Sequence, residues 1–159
     1  MKKLGILLLV LFAFVGCASS PNRMVYSSGF SFANYDYAIV GKTDGGTTTA
    51  LYGTDVEFAN LLSRYNIRII GDKEFAALPH ETQVRTMFAR ISISASGKLI
   101  TLSVSFDDAV TGKTGANFTT LSKGKIFDGK ARGKAFEDAS RMITKAIEQD
   151  KGLQVRRMR

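Results

Sequence analysis

The sequence is poor in the residues that build covalent cross-links and metal sites. Its 159 residues include one cysteine, one histidine, two prolines and no tryptophan. A single cysteine excludes an internal disulfide, and a single histidine, His80, excludes a metal site made of several histidines. Gly41-Lys42-Thr43 and Gly112-Lys113-Thr114 lack the earlier glycine of a phosphate-binding loop. We therefore expect no metal, no cofactor and no catalytic residue.

The N-terminus carries the pattern of an exported protein. Lys2 and Lys3 precede an apolar run from Leu4 to Val15, which ends at Gly16 and Cys17. A short basic segment followed by about 7–15 apolar residues is typical of a signal peptide, whereas a membrane-spanning helix needs about 20. We predict a signal peptide over residues 1–16. The alternative is a signal peptide that is cut elsewhere and contains an incidental cysteine.

The four residues Phe14-Val15-Gly16-Cys17 resemble the lipobox of bacterial lipoproteins, although Phe14 replaces the usual leucine. The resemblance implies that Cys17 is the lipid attachment site, carrying fatty chains of the palmitate type that anchor the protein without a spanning helix. Ala18 follows the cysteine, and by analogy this favours the outer membrane with the domain facing the periplasm. Residues 17–29 are predicted to be the lipidated cysteine and a flexible tether.

The chain is strongly basic, with a formal net charge of +8. Removal of residues 1–16 takes away two lysines and leaves +6. A basic surface of this size favours anionic lipid headgroups, acidic glycans or an acidic protein partner. We expect no nucleic-acid partner, because an exported protein rarely meets nucleic acid and the basic residues are scattered along the chain.

Hydrophobic periodicity predicts a single α+β domain over residues 30–153. The order is strand, helix, strand, then a three-stranded antiparallel meander, then an amphipathic helix over 131–150. We expect a two-layer sandwich in which a mixed sheet of about five strands packs two main helices on one face. Gly152 stands where a helix-ending glycine belongs, and residues 154–159 are predicted to be a basic tail.

The meander presents a polar side. Apolar residues alternate with serine, threonine and arginine over residues 86–108, so the polar side chains share one face of the sheet. This face is a candidate protein-docking surface, and the alternative is an ordinary solvated face of a two-layer fold. The candidate residues are Arg90, Ser92, Ser94, Thr101, Ser103 and Ser105.

Two segments add a family resemblance. The stretch LLSRYNIRIIGDKEF in the strand–helix–strand opening and the stretch VSFDDAVTGKTG, which contains an Asp-x-x-Thr-Gly turn at Asp108, Thr111 and Gly112, resemble the curli-secretion lipoprotein superfamily. That superfamily includes lipoprotein activators of penicillin-binding proteins. The resemblance implies an envelope domain that binds other proteins or assembles with itself. The long membrane-inserting hairpins of pore-forming members are missing from this sequence.

These observations favour a membrane-anchored periplasmic lipoprotein that acts as a non-catalytic binding or accessory subunit of a cell-envelope assembly. One alternative is a small envelope hydrolase that acts on glycan through loop carboxylates, which needs two carboxylates converging at about 5–10 Å. Another is a structural lipoprotein that assembles with itself.

Overall fold

The computed structural model describes residues 22–42, 53–125 and 127–157. The predicted signal peptide over 1–16 and Cys17 lie outside the described residues. The elements in chain order are β1 (Arg23–Tyr26), a 3-10 turn (Phe32–Asn34), β2 (Tyr37–Lys42), α1 (Thr54–Ser63), β3 (Arg68–Ile69), α2 (Asp72–Ala77), α3 (His80–Gln83), β4 (Thr86–Ser96), β5 (Leu99–Asp108), β6 (Thr114–Lys123) and α4 (Gly129–Arg157).

The described strands form one mixed sheet of six strands in the order β1-β6-β5-β4-β2-β3. β4, β5 and β6 are the predicted antiparallel meander, and β2 is parallel to both β3 and β4. The predicted α+β class is confirmed, with six strands in place of about five. The sheet is open, and its long central strands of ten and eleven residues provide a rigid frame.

The additional strand is β1, and it changes where the domain begins. Arg23 to Tyr26 pair antiparallel with Ala116 to Thr119 of β6. The prediction of a tether over 17–29 is therefore wrong for these four residues. The strand forms because the outer edge of β6 offers unpaired backbone groups, which β1 satisfies. β1 begins at Arg23, seven residues before the predicted domain boundary at residue 30.

The core lies between one face of the sheet and the helices α1 and α4. Ala131, Ala135 and Ala139 form part of a small-residue side of α4 that is buried against the sheet. These small side chains let the helix approach closely, so that the Thr120 hydroxyl of β6 donates to the Ala135 carbonyl at 2.8 Å. Beside this contact, rings pack edge to face in an aromatic cluster of Phe32, Phe106 and Phe118.

Helix α4 is longer than predicted. It continues through Gly152 to Arg157, so the expected helix end at Gly152 is wrong, and residues 154–157 of the predicted basic tail are helical. A glycine inside a helix costs only about 1 kcal/mol relative to alanine, and the glutamine and arginines that follow it are good helix formers. A single glycine is therefore insufficient to end this helix.

A bulge interrupts the β5–β6 ladder at a crowded glycine. The pairing shifts between Phe106, opposite Ala116, and Asp107, opposite Thr114, which leaves Gly115 as the extra residue. The ring of Phe30 lies over Gly115, and a Cβ atom at residue 115 would come within 1.9 Å of that ring. Phe30 is itself held between Phe32 and Tyr35, so it has little room to move.

We predict that Gly115→Ala lowers the free energy of unfolding by about 1–3 kcal/mol, because the added methyl group overpacks the space under Phe30. Gly133→Ala is the matched control, since the exposed Gly133 in α4 has no neighbouring atom within 4 Å of an added Cβ. That variant should be as stable as the parent, or more stable by up to about 1 kcal/mol. Urea unfolding of both variants measures the difference, and equal stability would contradict the crowding at Gly115.

Candidate docking face on the open side of the sheet

The six polar residues predicted from the sequence lie together on the face of the sheet opposite α4. Arg90 is paired with Ser105, Ser92 with Ser103, and Ser94 with Thr101 across the β4–β5 ladder. Their neighbours Ile91, Ile93, Leu102 and Val104 point to the opposite face and are buried. The structure therefore brings all six candidates into one patch of two adjacent strands.

The polar face continues onto β6, which the sequence analysis did not include. Asn117 and Thr119 stand opposite Ser105 and Ser103. The hydroxyls of Ser103 and Thr119 are 3.1 Å apart, and Thr119 donates to the Asn117 side-chain oxygen at 3.0 Å. The signal was present in the sequence, because Asn117 and Thr119 alternate with buried Ala116, Phe118 and Thr120. We call the nine-residue surface the open face: it comprises the six predicted residues with Asn117, Thr119 and Asp107.

Asp107 is the buried acidic centre of the open face. Its side chain is 2% exposed, and one carboxylate oxygen lies 2.7 Å from the Arg90 guanidinium, whose own side chain is 48% exposed. The second oxygen accepts a hydrogen bond of 2.6 Å from the Thr114 hydroxyl, and Ser105 approaches the first oxygen at 3.4 Å. The carboxylate is thus fully engaged, and its ion pair with Arg90 fixes the position of a guanidinium that is about half exposed to solvent.

An aromatic contact limits the open face on the side of β2. Phe75 of α2 packs against Phe88 of β4, with the ring centroids 6.1 Å apart. Phe88 is two residues from Arg90 and therefore projects from the same side of the sheet. Helix α2 thus covers one corner of this side, and the rest of the open face is left uncovered within the part of the chain that the structure describes.

Asp108 organises the turn that follows β5. Its carboxylate accepts hydrogen bonds from the backbone of Val110 and from both the backbone and the hydroxyl of Thr111, the last two at 2.7 and 2.8 Å. Gly112 closes the turn with a φ of +67°. Burial alone would raise the pKa of Asp108, but the hydrogen bonds from Thr111 and Val110 outweigh it and hold the pKa below its ordinary value.

The Asp108 carboxylate also receives the hydroxyl of Tyr35 at 3.4 Å. Burial of Tyr35 and the nearby Asp108 charge raise the pKa of this tyrosine to about 12. Asp107 and Asp108 therefore belong to separate networks, the first on the open face and the second in the turn. The carboxylates of Asp107 and Asp108 therefore do not face a common ligand position.

No group of three histidine, cysteine, aspartate or glutamate side chains that could hold a metal occurs among residues 22–42, 53–125 and 127–157. His80 is exposed at the start of α3. The described helices include none that is both long and apolar enough to cross a bilayer. Cys17, the predicted lipid attachment site, lies outside the described residues.

Removal of the Arg90 side chain should destabilise the fold because it leaves the buried Asp107 carboxylate without its charged partner. We predict that Arg90→Met lowers the free energy of unfolding by about 1–3 kcal/mol. Arg85→Met is the control, since Arg85 and Asp36 are both about half exposed, and loss of such a pair costs about 1 kcal/mol or less. Chemical unfolding measures both; equal losses would mean that Asp107 does not depend on Arg90.

The Asp108 turn predicts an acid-dependent stability. Because the folded-state pKa of Asp108 is lowered, its contribution is present at neutral pH and is lost as pH falls below the unfolded value of about 3.9 and through the folded value. Thr111→Val removes the hydroxyl donor, so it should lower the free energy of unfolding by about 0.5–1 kcal/mol at pH 7 in this exposed turn.

The deficit of Thr111→Val should shrink towards acidic pH, as followed by urea unfolding at a series of pH values. Thr111→Ser keeps the hydroxyl and should retain the parental pH profile. A valine deficit that stays constant from neutral to acidic pH would show that the hydroxyl does not act through the Asp108 charge.

Comparison with known proteins gives structural likenesses at low sequence identity. No protein-family model matches the chain, and no curated protein matches it. A PelC dodecamer from Paraburkholderia phytofirmans is 13% identical, with a TM-score of 0.45 over 77% of this chain and 94% of that chain. A substituted PelC dodecamer from the same organism gives 14% and 0.44, over 77% and 96%. A PDZ domain protein from Parabacteroides distasonis gives 10% and 0.47, over 81% of this chain and 35% of its own.

Proposed function

We propose that this protein is a lipid-anchored, non-catalytic binding subunit of a cell-envelope assembly, and that it docks its partner on the open face. The observation that carries the proposal is the contrast between the two sides of the sheet. One side is buried under α1 and α4, while the other presents hydroxyls, an amide and the half-exposed guanidinium of Arg90 across three long strands.

The side chains of the open face suit recognition of a partner's polar loop or flat surface. Serine and threonine hydroxyls both donate and accept hydrogen bonds, and their short side chains lose little conformational freedom when they are covered. The strands beneath them are paired on both sides within the sheet, so the face is rigid before a partner arrives. A rigid surface binds with a smaller entropic cost than a flexible loop.

The arrangement of Asp107 and Asp108 supports a binding role over the alternative of a glycan hydrolase. A glycosidase needs two carboxyl groups that face one bond. The Asp107 carboxylate accepts hydrogen bonds from Arg90, Ser105 and Thr114. The Asp108 carboxylate accepts them from Thr111, Val110 and Tyr35. Both carboxylates therefore serve the structure of the sheet and its turn.

The envelope location in this proposal follows from the N-terminal sequence. The lipobox-like residues 14–17 supply the anchor at Cys17, and the short polar stretch after it leads directly into β1. We propose an outer-membrane anchor with the domain in the periplasm. The domain is then confined to a thin layer next to the membrane, which raises its effective concentration towards partners anchored in the same membrane.

The test is site-specific photo-crosslinking in intact cells. A photoreactive phenylalanine analogue at Ser94, which is exposed on the open face, should give a defined cross-linked product with an envelope protein. The same analogue at Ser63, exposed at the end of α1, is the matched control and should give no such product. The product should also be lost when Cys17→Ala removes the anchor.

The proposal further predicts that Ser94→Arg abolishes the product captured from a second open-face position, Thr101, while Ser63→Arg leaves it unchanged. Both variants should unfold at the same denaturant concentration as the parent, because both positions are exposed. Products from Ser63 alone would move the binding surface to the helical side. Products made only of this chain would identify the assembly as a homo-oligomer.

A further inference from the structure

A groove lined by lysines lies at one end of the sheet, beyond the Ser94–Thr101 end of the open face. It has a volume of about 860 Å³ and is bordered by the β4–β5 turn and by the connection from β6 to α4. Three lysines contribute to its walls, Lys98, Lys123 and Lys125, together with Gly124 and Asp128. A hydrogen bond of 2.8 Å from the Gly124 backbone to the Lys98 carbonyl joins the two segments.

The groove also presents an unusual amount of exposed apolar surface. Phe127 is 74% exposed at its rim, the highest value among the large hydrophobic residues with marked exposure in the described chain, and Leu99 is 38% exposed next to Lys98. An exposed aromatic ring among lysines is the composition of a surface that meets an interface between water and lipid. The apolar side chain enters the headgroup region, while the ammonium groups remain with the anionic headgroups.

The acidic residue of the groove does not cancel this charge. Asp128 is the N-terminal cap of α4, where its carboxylate accepts hydrogen bonds from the backbone of Lys130 at 2.9 Å and of Ala131 at 3.3 Å. The carboxylate is thus directed to the helix end. Three lysines and one engaged carboxylate line the groove, so it has an excess of positive charge.

The path of the chain places the predicted anchor at this same end of the sheet. β1 is antiparallel to β6, and the side chain of Asn22 accepts a hydrogen bond from the backbone of Leu121 at 3.3 Å, two residues before Lys123. Asn22 is five residue steps from Cys17, and five steps span at most about 18 Å when the chain is fully extended. A lipid on Cys17 would therefore hold the lysine groove close to the membrane surface.

We propose that the lysine groove is a membrane-facing surface that binds anionic lipid headgroups, with Phe127 inserted among them. This proposal rests on the proposed anchor at Cys17 and adds an orientation to it. In this orientation the strands point away from the membrane. The bilayer therefore does not cover the open face, which stays accessible to a partner. Each lysine near an anionic surface strengthens such binding, and the attraction weakens with salt.

The absence of tryptophan allows a direct test with the full-length lipidated protein. Phe127→Trp introduces a single tryptophan at the groove, which can be excited selectively over the tyrosines. Val110→Trp is the matched control: Val110 is also exposed, at 43%, but it lies in the turn at the other end of β5, about 30 Å away. Both proteins are reconstituted on vesicles of brominated phosphatidylcholine, with and without phosphatidylglycerol.

We expect the fluorescence of the Phe127→Trp protein to be blue-shifted and strongly quenched by the brominated lipid on vesicles that contain phosphatidylglycerol, and that of the Val110→Trp protein to be unaffected. Exchange of Lys98, Lys123 and Lys125 for glutamate in the Phe127→Trp protein should reduce the quenching to the level of the Val110 control. High salt should have the same effect.

The outcomes separate the orientation from the anchor. Vesicle-bound Phe127→Trp protein whose fluorescence is not quenched would overturn the membrane-facing groove and leave the anchor intact. Equal quenching with and without phosphatidylglycerol would overturn the recognition of anionic headgroups. Failure of the lipidated protein to sediment with any vesicle would overturn the anchor, and the orientation proposal with it.

Discussion

The close packing of α4 on the central strands is the constraint on which the rest of the molecule depends. Alanines on the inner side of the helix allow the Thr120 hydroxyl to reach the Ala135 carbonyl, which fixes the helix against β6. Because side chains alternate between the two faces of a strand, burial of Ile91, Leu102 and Val104 under the helices forces their neighbours to the other side. The position of the open face thus follows from the position of one helix.

The second constraint is the pairing of β1 with the edge of β6. It shields that edge of the sheet and brings the N-terminal end of the domain beside Leu121. The proposed anchor, the lysine groove and the open face then have a fixed order in space. In the proposed orientation the groove meets the membrane, the strands lead away from it, and Arg90 with its serine and threonine neighbours faces the periplasm. The function proposed for the protein uses this order.

Local patterns in the sequence predicted the meander and the polar face well. The alternation over residues 86–108 determines both the strands and the side on which Arg90, Ser92 and Ser103 lie. It did not predict β1, because the four residues from Arg23 to Tyr26 become a strand only through pairing with β6, more than 90 residues along the chain. The alternation of Asn117 and Thr119 with apolar residues is visible in the sequence. Their place on the open face, however, depends on the register of β6 against β5.

The hydrogen-bond and ion-pair partners of individual side chains could be identified only from the three-dimensional structure. Asp107 and Asp108 are neighbours in the sequence, but their partners differ. Asp107 pairs with Arg90 across the β4–β5 ladder, and Asp108 accepts hydrogen bonds from Thr111 in the turn. The lysine groove also joins two segments that are 25 residues apart, from Lys98 to Lys123, through one backbone hydrogen bond. Contacts between distant segments of this kind leave no periodic signal in the sequence.

The mass of the N-terminal peptide of the mature protein, isolated from the cell envelope, shows whether Cys17 carries a lipid. We expect a peptide that begins at Cys17 and carries the added mass of a diacylglycerol group and a further fatty chain. An unmodified Cys17, or a mature N-terminus at any other residue, would contradict the anchor on which both the proposed function and the proposed orientation are built.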